Sequence, residues 1–327
     1  MCNSPRRRCA LIAVWLTLVT PPGIAIDIQG HRGARGLAPE NTLPAFRRAL
    51  TEGVSTLELD VGMTRGGVVV IHHDASLNPM LTRGRDGRWI DAPILLSGLS
   101  LARLRRFDVG RVRPDTEYAA RFARQAASDG ATVPTLSSLF SMVRSRGDHD
   151  VRFNIETKIS PLAPSRTAAP EIMLDAILRT IAQHGMHDRV MLQSFDWRTL
   201  ALAQKRSPSI PTVYLTSRQS GFDNVAPHWN AGLALADHGS VPRMVKAAGG
   251  WAWSPFHGDL TAADLAQART LGLKVIPWTV NSEEAIGRVL DLDVDGLVTD
   301  YPDLARAIVQ TRGLRIGPLN WDARASR

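Results

Sequence analysis

"LKVIPWTVNSEEAIGRVLDLDVDGLVTDYPDLARAIVQTRG", residues 273–313, alternates two strand patterns with two helix patterns. "LKVIPWTV" (273–280) reads as a strand, and "SEEAIGRVLDL" (282–292) as a helix with one apolar face. "GLVTD" (296–300) is the next strand, and "DLARAIVQTRG" (303–313) the next helix. Strands that alternate with helices in this way build a parallel sheet.

The same alternation runs upstream. "AIDIQG" (25–30), "STLELDVGM" (55–63), "VRFNIETK" (151–158), "RVMLQSF" (189–195), "PTVYLTS" (211–217) and "WAWSPF" (251–256) read as strands. "VVVIHHD" (68–74) reads as a strand folded back on 55–63 through the turn "TRGG". Helices are expected over 41–53, 136–147, 171–185, 196–206 and 261–272. About eight strand–helix units can be counted, so a (β/α)8 TIM barrel is the economical closure, with an open doubly wound sheet as the alternative. An excursion over 83–132, rich in Gly, Pro, Arg and Asp, interrupts the rhythm after the second strand and its hairpin. The stretch 218–240 is irregular and receives no element.

Hydrophobic residues form 44% of the 327-residue chain, enough for a large core. The net charge of +8 comes without a long lysine block or zinc-finger spacing, which argues against nucleic-acid binding and for attraction of anionic small molecules. Arg6, Arg7 and Arg8 precede the apolar run "ALIAVWLTLVT" (10–20), and "GIA" (23–25) ends in a small residue. This reads as a secretory signal over 1–25, the alternative being a short membrane anchor. An exported, periplasmic or secreted mature chain of 26–327 is therefore expected. It would consist of a barrel over 26–315 and a tail over 316–327, with no membrane span. Both cysteines, Cys2 and Cys9, fall in the signal, so no disulfide or thiolate metal site is expected afterwards.

Strand ends in such a barrel face the active site. The first strand delivers His31 and Arg32 from "GHRGARGLAPENTLPAF" (30–46). The second delivers Glu58 and Asp60, two apart and so on one face. The hairpin delivers His73 and Asp74, the third strand Glu156 and Lys158, and the seventh Trp278. Three converging carboxylates call for a hard cation, Ca²⁺ or Mg²⁺. Arg32 and Lys158 suit phosphate oxygens, and two histidines suit the two proton transfers of a phosphodiester cleavage. Each residue also has a plainer reading. Glu58 and Asp60 can form a polar strand face, His73 a hydrogen-bonded turn residue, and Trp278 part of the core. Asn281 with Glu284 reads as a helix cap, and Asn41–Thr42 with Pro44 as a helix start.

Seven segments together resemble the glycerophosphodiester phosphodiesterase family: "HRG…PENT" (31–42), "LELDV" (57–61), "VIHHD" (70–74), "NIETK" (154–158), "QSFDW" (193–197), "PWTVN" (277–281) and "DVDGLVTDYP" (293–302). The resemblance implies a (β/α)8 barrel with a small insertion, a divalent metal, and hydrolysis of glycerophosphodiesters to an alcohol and glycerol 3-phosphate. By position it implies His31 and His73 as the acid/base pair, and Glu58, Asp60 and Glu156 as metal ligands. It likewise implies phosphate contacts from Arg32 and Lys158 and a substrate-lining Trp278. The chain departs from the family pattern at Gly66-Gly67, where Asp-Gly is usual, and at "LNPMLTRGRDGRWI" (77–90). Two rival functions are a related barrel enzyme acting on intact phospholipids (phospholipase D-like or phosphoinositide-cleaving) and a non-catalytic phosphate-ester binder.

Overall fold

A computed structural model describes residues 25–226, 228–319 and 321; the signal expected over 1–25 lies, but for Ala25, outside the described residues. Eight strands follow one another in the chain: β1 (Ala25–Gly30), β2 (Thr56–Met63), β3 (Arg152–Thr157), β4 (Val190–Ser194), β5 (Thr212–Thr216), β6 (Ala252–Pro255), β7 (Lys274–Val275) and β8 (Gly296–Thr299). A helix follows each: α1 (Leu43–Glu52), α2 (Leu136–Ser145), α3 (Pro170–His184), α4 (Trp197–Arg206), α5 (Val241–Ala247), α6 (Ala262–Thr270), α7 (Glu283–Asp291) and α8 (Pro302–Thr311). The strands pair in parallel in the order β7-β6-β5-β4-β3-β2-β1-β8. Between β7 and β8 the ladder is irregular because Pro277 has no N–H to give. Closure is made by Asp295 N–H to the Val275 carbonyl (3.1 Å) and Val298 N–H to the Pro277 carbonyl (3.0 Å). The architecture is therefore the expected barrel rather than an open sheet.

The element ends have local causes. Thr42 caps α1 by accepting the Ala45 N–H, Pro44 sits in its first turn, and Gly53 closes it at φ 76°. Ala45, Phe46, Ala49 and Leu50 form its buried face. Strand β2 is buried throughout. Leu57, Leu59, Val61 and Met63 join the large core under the helices, leaving Glu58 and Asp60 to point into the barrel. Register then aligns the inward residues: Glu58 lies beside Asn154, Asp60 beside Glu156, and Glu156 beside Gln193.

Several expectations change. The hairpin strand is only Val69–Ile71, since the chain leaves the ladder to present His73. The irregular 218–240 holds a short ladder, Arg218–Gln219 with Phe222–Asp223, and the seven-residue α5 follows it. Helix α5 carried a legible signal: Ser240 caps it and Pro242 sits in its first turn. The boundary expected at 315 cuts a strand, Arg315–Ile316, which pairs with Ala25 and Ile26. Beyond it, Leu319 and Trp321 pack with Met191, Val213, Ala252, Ile276 and Val298 at the barrel's centre, so the expected tail includes part of the core.

The excursion packs as a wider unit than 83–132. Ser76–Leu77 pairs with Ile94–Leu95, and Arg83–Gly84 with Phe107–Asp108. Val70, Leu77, Leu96, Leu99, Leu104, Val109 and Val133 give it a separate small core above the barrel.

Candidate active site

The C-terminal ends of the strands open into a cavity of about 840 Å³ lined by His31, Arg32, Glu58, His73, Glu156, Lys158 and Trp278, among others. Asp60 belongs to the same group, since one oxygen each from Glu58, Asp60 and Glu156 lie within 4.8 Å of one another. All eight residues singled out in the sequence are thus brought together.

The turn after β1 explains the glycines in "HRG". A Cβ on Gly30 would sit 2.1 Å from the Gly33 carbonyl oxygen, and one on Gly33 would sit 2.7 Å from the Ala45 backbone. Gly33 also adopts φ 86°, and Arg32 follows the same left-handed path at φ 51°. This tight turn aims the Arg32 main-chain N–H at Glu58 Oε2, 2.8 Å away.

The three carboxylates are buried and unequal. Burial raises the Glu58 pKa well above the usual carboxylate range, and neighbouring Asp60 and Glu156 add to the effect. Burial pushes Glu156 up to about 7, partly offset by Lys158. Asp60 goes the other way: although burial opposes it, Arg32, His73 and Lys158 hold it well below its ordinary value. Asp60 Oδ2 accepts from Asn41 (2.8 Å) and faces Arg32 Nε at 3.2 Å. Its Oδ1 is buried without a hydrogen bond, and Lys158 Nζ stays at 3.7 Å. Three crowded carboxylates, two with raised pKa values and one with an unmet oxygen, fit a hard divalent cation. Lys158 donates to Glu156 at 2.7 Å, and Arg32 to Glu40 at 2.8 Å.

Both histidines have a carboxylate at Nδ1: His31 with Asp300 and His73 with Asp74, each at 2.7 Å. Burial lowers both pKa values to about 4, aided by Arg35 at His31 and by Arg32 and Lys158 at His73. Asp300 stays ionised despite burial, because Arg35 and His31 hold its pKa far below the carboxylate range. An ionised carboxylate only accepts, so in its neutral form His31 carries its proton on Nδ1 and keeps Nε2 as an acceptor. His72, the adjacent alternative, is buried and directs its Nε2 to the Ser76 carbonyl (3.1 Å).

Several site residues were missed in the sequence. Asp300 takes two hydrogen bonds from Arg35 (2.7 and 2.9 Å) and one from Asn281 (2.6 Å). Asn281 is therefore not the helix cap expected of it; Ser282 caps α7. Asn41 likewise serves Asp60, while Thr42 does the capping. Glu40 receives Arg32 and the Tyr118 hydroxyl, tying the excursion to the turn. Gln193 donates to Glu58 (2.7 Å) and accepts from Asn154 (2.9 Å). Asn154 also donates to Gln29 (2.8 Å), and Gln29 to the fully buried Asp27 (2.8 Å). An amide ladder thus runs from the barrel's depth to the metal-ligand candidates. Strand-end position marks Asp300 within "LVTDYP"; Gln193 opens the segment "QSFDW", and its contact with Glu58 comes from register.

The opposite wall is aromatic. Phe195 meets Phe222 and Trp278 edge-on at 5.1 and 5.3 Å, and Phe222 meets Trp229 at 5.6 Å. Trp278 lines the cavity, partly buried, with its Nε1 fixed to the Ser254 carbonyl (3.0 Å).

Comparison with known proteins follows the same lines. Residues 31–304 match the model of the glycerophosphoryl diester phosphodiesterase family. A glycerophosphodiester phosphodiesterase of Caldanaerobacter subterraneus is 26% identical over 88% of this chain and 98% of its own. The crystal structure of a proposed glycerophosphoryl diester phosphodiesterase from Silicibacter pomeroyi superposes with a TM-score of 0.81 at 36% identity, covering 90% of this chain and 96% of the other. An Oleispira antarctica phosphodiesterase, solved with the product sn-glycerol 3-phosphate, shares the fold at TM-score 0.65 and 21% identity, covering 88% and 97%.

Proposed function

The chain belongs to the glycerophosphoryl diester phosphodiesterase family, a family of phosphoric diester hydrolases, and from that premise we propose that it hydrolyses glycerophosphodiesters to an alcohol and glycerol 3-phosphate with a divalent metal and two histidines. The observation that carries the reading is the clustering of Glu58, Asp60 and Glu156 beside two histidines, each with a carboxylate at Nδ1. The Oleispira relative's bound product supports the choice of glycerol 3-phosphate.

Glu58, Asp60 and Glu156 would hold Ca²⁺ or Mg²⁺. The bound cation would neutralise phosphate oxygens and draw charge from phosphorus. Arg32 and Lys158 share the phosphate oxygens that face them. His31 accepts at Nε2 the proton of the nucleophile, which is water or the substrate's neighbouring hydroxyl, as its oxygen bonds to phosphorus. The bond from phosphorus to the alcohol oxygen breaks, and His73 returns a proton to that oxygen. Where the neighbouring hydroxyl attacks, a cyclic phosphate forms and water then opens it. The two sites differ in a way that suits this division. Asp300 behind His31 is wholly buried, whereas Asp74 behind His73 is half-exposed, so His73 exchanges protons with solvent more readily. The anionic phosphate favours its protonated form. Trp278 and Phe195 bound the space left for the organic part of the substrate.

A panel of glycerophosphodiesters assayed with product identification, with and without chelator, tests this. Turnover to glycerol 3-phosphate that stops on chelation and returns with Ca²⁺ or Mg²⁺ is expected. Full activity of the chelated protein would overturn the metal assignment. We also propose export, on the Arg6–Arg8 start and the apolar run that follows it. N-terminal sequencing of the protein recovered from the periplasm or medium checks it, and a cytosolic chain retaining Met1 would refute it.

A further inference from the structure

The described residues expose large hydrophobic side chains at four positions: Leu162 (68% exposed), Ile172 (58%), Leu95 (39%) and Met80 (37%). Isolated exposed hydrophobics are ordinary, but these share one place. Leu162 lies in the loop from β3 to α3, and Ile172 in the first turn of α3, both at the strand ends where the cavity opens. Leu95 pairs with Ser76 in the excursion. The Ser76 hydroxyl in turn accepts from Arg166 at 3.1 Å, which joins that ladder to the Leu162 loop. Met80 follows Pro79, a residue of the cavity wall. None of the four lines the cavity itself, but the wall residues Ser160 and Ala163 flank the Leu162 position, Pro79 precedes Met80, and Pro93 lies two residues before Leu95.

Charge accompanies them. Arg121 and Arg166 stand exposed at the mouth, and neither has an ion pair among the described residues. Asp74, a carboxylate of the cavity wall, is engaged by His73. Pro161, Pro164 and Pro170 stiffen the loop carrying Leu162, so little chain entropy is lost when it inserts. Apolar side chains beside unpaired guanidinium groups on one rim match the interfacial region of a bilayer. We propose that this rim docks peripherally on an anionic lipid surface and turns the cavity mouth toward the headgroup layer. Asp91 and Glu171 also stand exposed along the rim, so the apolar side chains must supply much of the affinity. The docking is independent of the proposed reaction, and the test reads the two separately.

The test compares the full chain with a Leu162→Asp/Ile172→Asp double variant by co-sedimentation. The probes are phosphatidylglycerol/phosphatidylcholine vesicles and pure phosphatidylcholine vesicles. The apolar N-terminal run is common to both chains, so the difference between them reports the rim. Parent binding should favour the anionic vesicles, persist in part at 0.5 M salt (about a 4 Å Debye length) and fall roughly tenfold or more in the variant. Turnover of dissolved glycerophosphocholine should be unchanged, which shows that the fold and site survive. Equal sedimentation of parent and variant overturns the proposal, as does equal parent binding to both vesicle types. So does a dimer that the double variant converts to a monomer, because the rim would then meet a second copy.

Discussion

The two halves of the cavity mouth are built from different chemistry. Strands β8, β1, β2 and β3, adjacent in the sheet, bring Asp300, His31, Arg32, Glu58, Asp60, Glu156 and Lys158. Strands β4 to β7 lead into Phe195, Phe222, Trp229 and Trp278. In the first half nearly every group is held by another of opposite charge, so deleting one strands its partner in a low-dielectric setting. The aromatic half rests on edge-to-face contacts, each worth about 0.5–1.5 kcal/mol beyond burial, and it can yield by degrees. Reaction steps therefore concentrate on one side and shape selection on the other.

That contrast can be broken first at the histidines. His31→Ala and His73→Ala should each cost on the order of 10²–10⁴ in kcat, with little change in substrate binding. An aryl phosphodiester, whose leaving group needs no proton, should rescue His73→Ala and leave His31→Ala impaired. Rescue of His31→Ala instead would reverse the two roles. Near-normal turnover by both variants would end the two-histidine reading.

Asp300→Asn tests whether His31 depends on its buried partner. It should lower kcat by about 10²-fold and destabilise the fold by roughly 3–5 kcal/mol, because Arg35 loses its bidentate anion. A change in stability with kcat intact would make Asp300 purely structural.

The carboxylates give a pH signature. Glu58 and Glu156 have raised pKa values, so in the metal-free protein they favour folding at low pH. For Glu156 that contribution is fully present below the unfolded value near 4.5 and is lost as pH rises through about 7, and Glu58 acts in the same direction. His31 and His73, lowered to about 4, act in the opposite sense between about 6.5 and 4, but they do so with or without metal. The rise in Tm on adding Ca²⁺ or Mg²⁺ should therefore grow by a few degrees from pH 5 to 8. A metal-induced shift that is flat with pH would show that the triad is not the binding site.

The smallest effect is expected in the aromatic half. Trp278→Ala should raise KM about tenfold and alter the ranking of alcohol groups, with kcat within a few-fold. A kcat loss as large as that of the histidine variants would abolish the division between the halves.

These halves were unequally legible in the sequence. Glu58, Asp60 and Glu156 lie on strands, where periodicity sets their inward direction, and His31 and His73 follow one and two residues after strand ends. Phe222 and Trp229 escaped because they lie in 218–240, whose two-residue strands are too short to show a period. Asn281 reads as a cap because an asparagine before a helix ordinarily is one, but Ser282 takes that role; of the helix start Asn41–Thr42, Thr42 does the capping and leaves Asn41 to Asp60. Gln193 reaches Glu58 through the stacking of β2, β3 and β4, a relation among segments about 135 residues apart that no local window contains.

The floor of the barrel bears on how the chain is made. Strand β1 is laid down first, yet β8 and the Arg315–Ile316 strand that flank it emerge some 270 residues later. At about 5–20 residues per second, a growing polypeptide waits roughly a quarter of a minute or longer before β1 gains those neighbours. Trp321, stacked edge-on against Trp251 and lying 3.8 Å beneath the Arg152 guanidinium, comes later still. A nascent chain cannot seal itself early, which keeps it threadable until those downstream segments have been made.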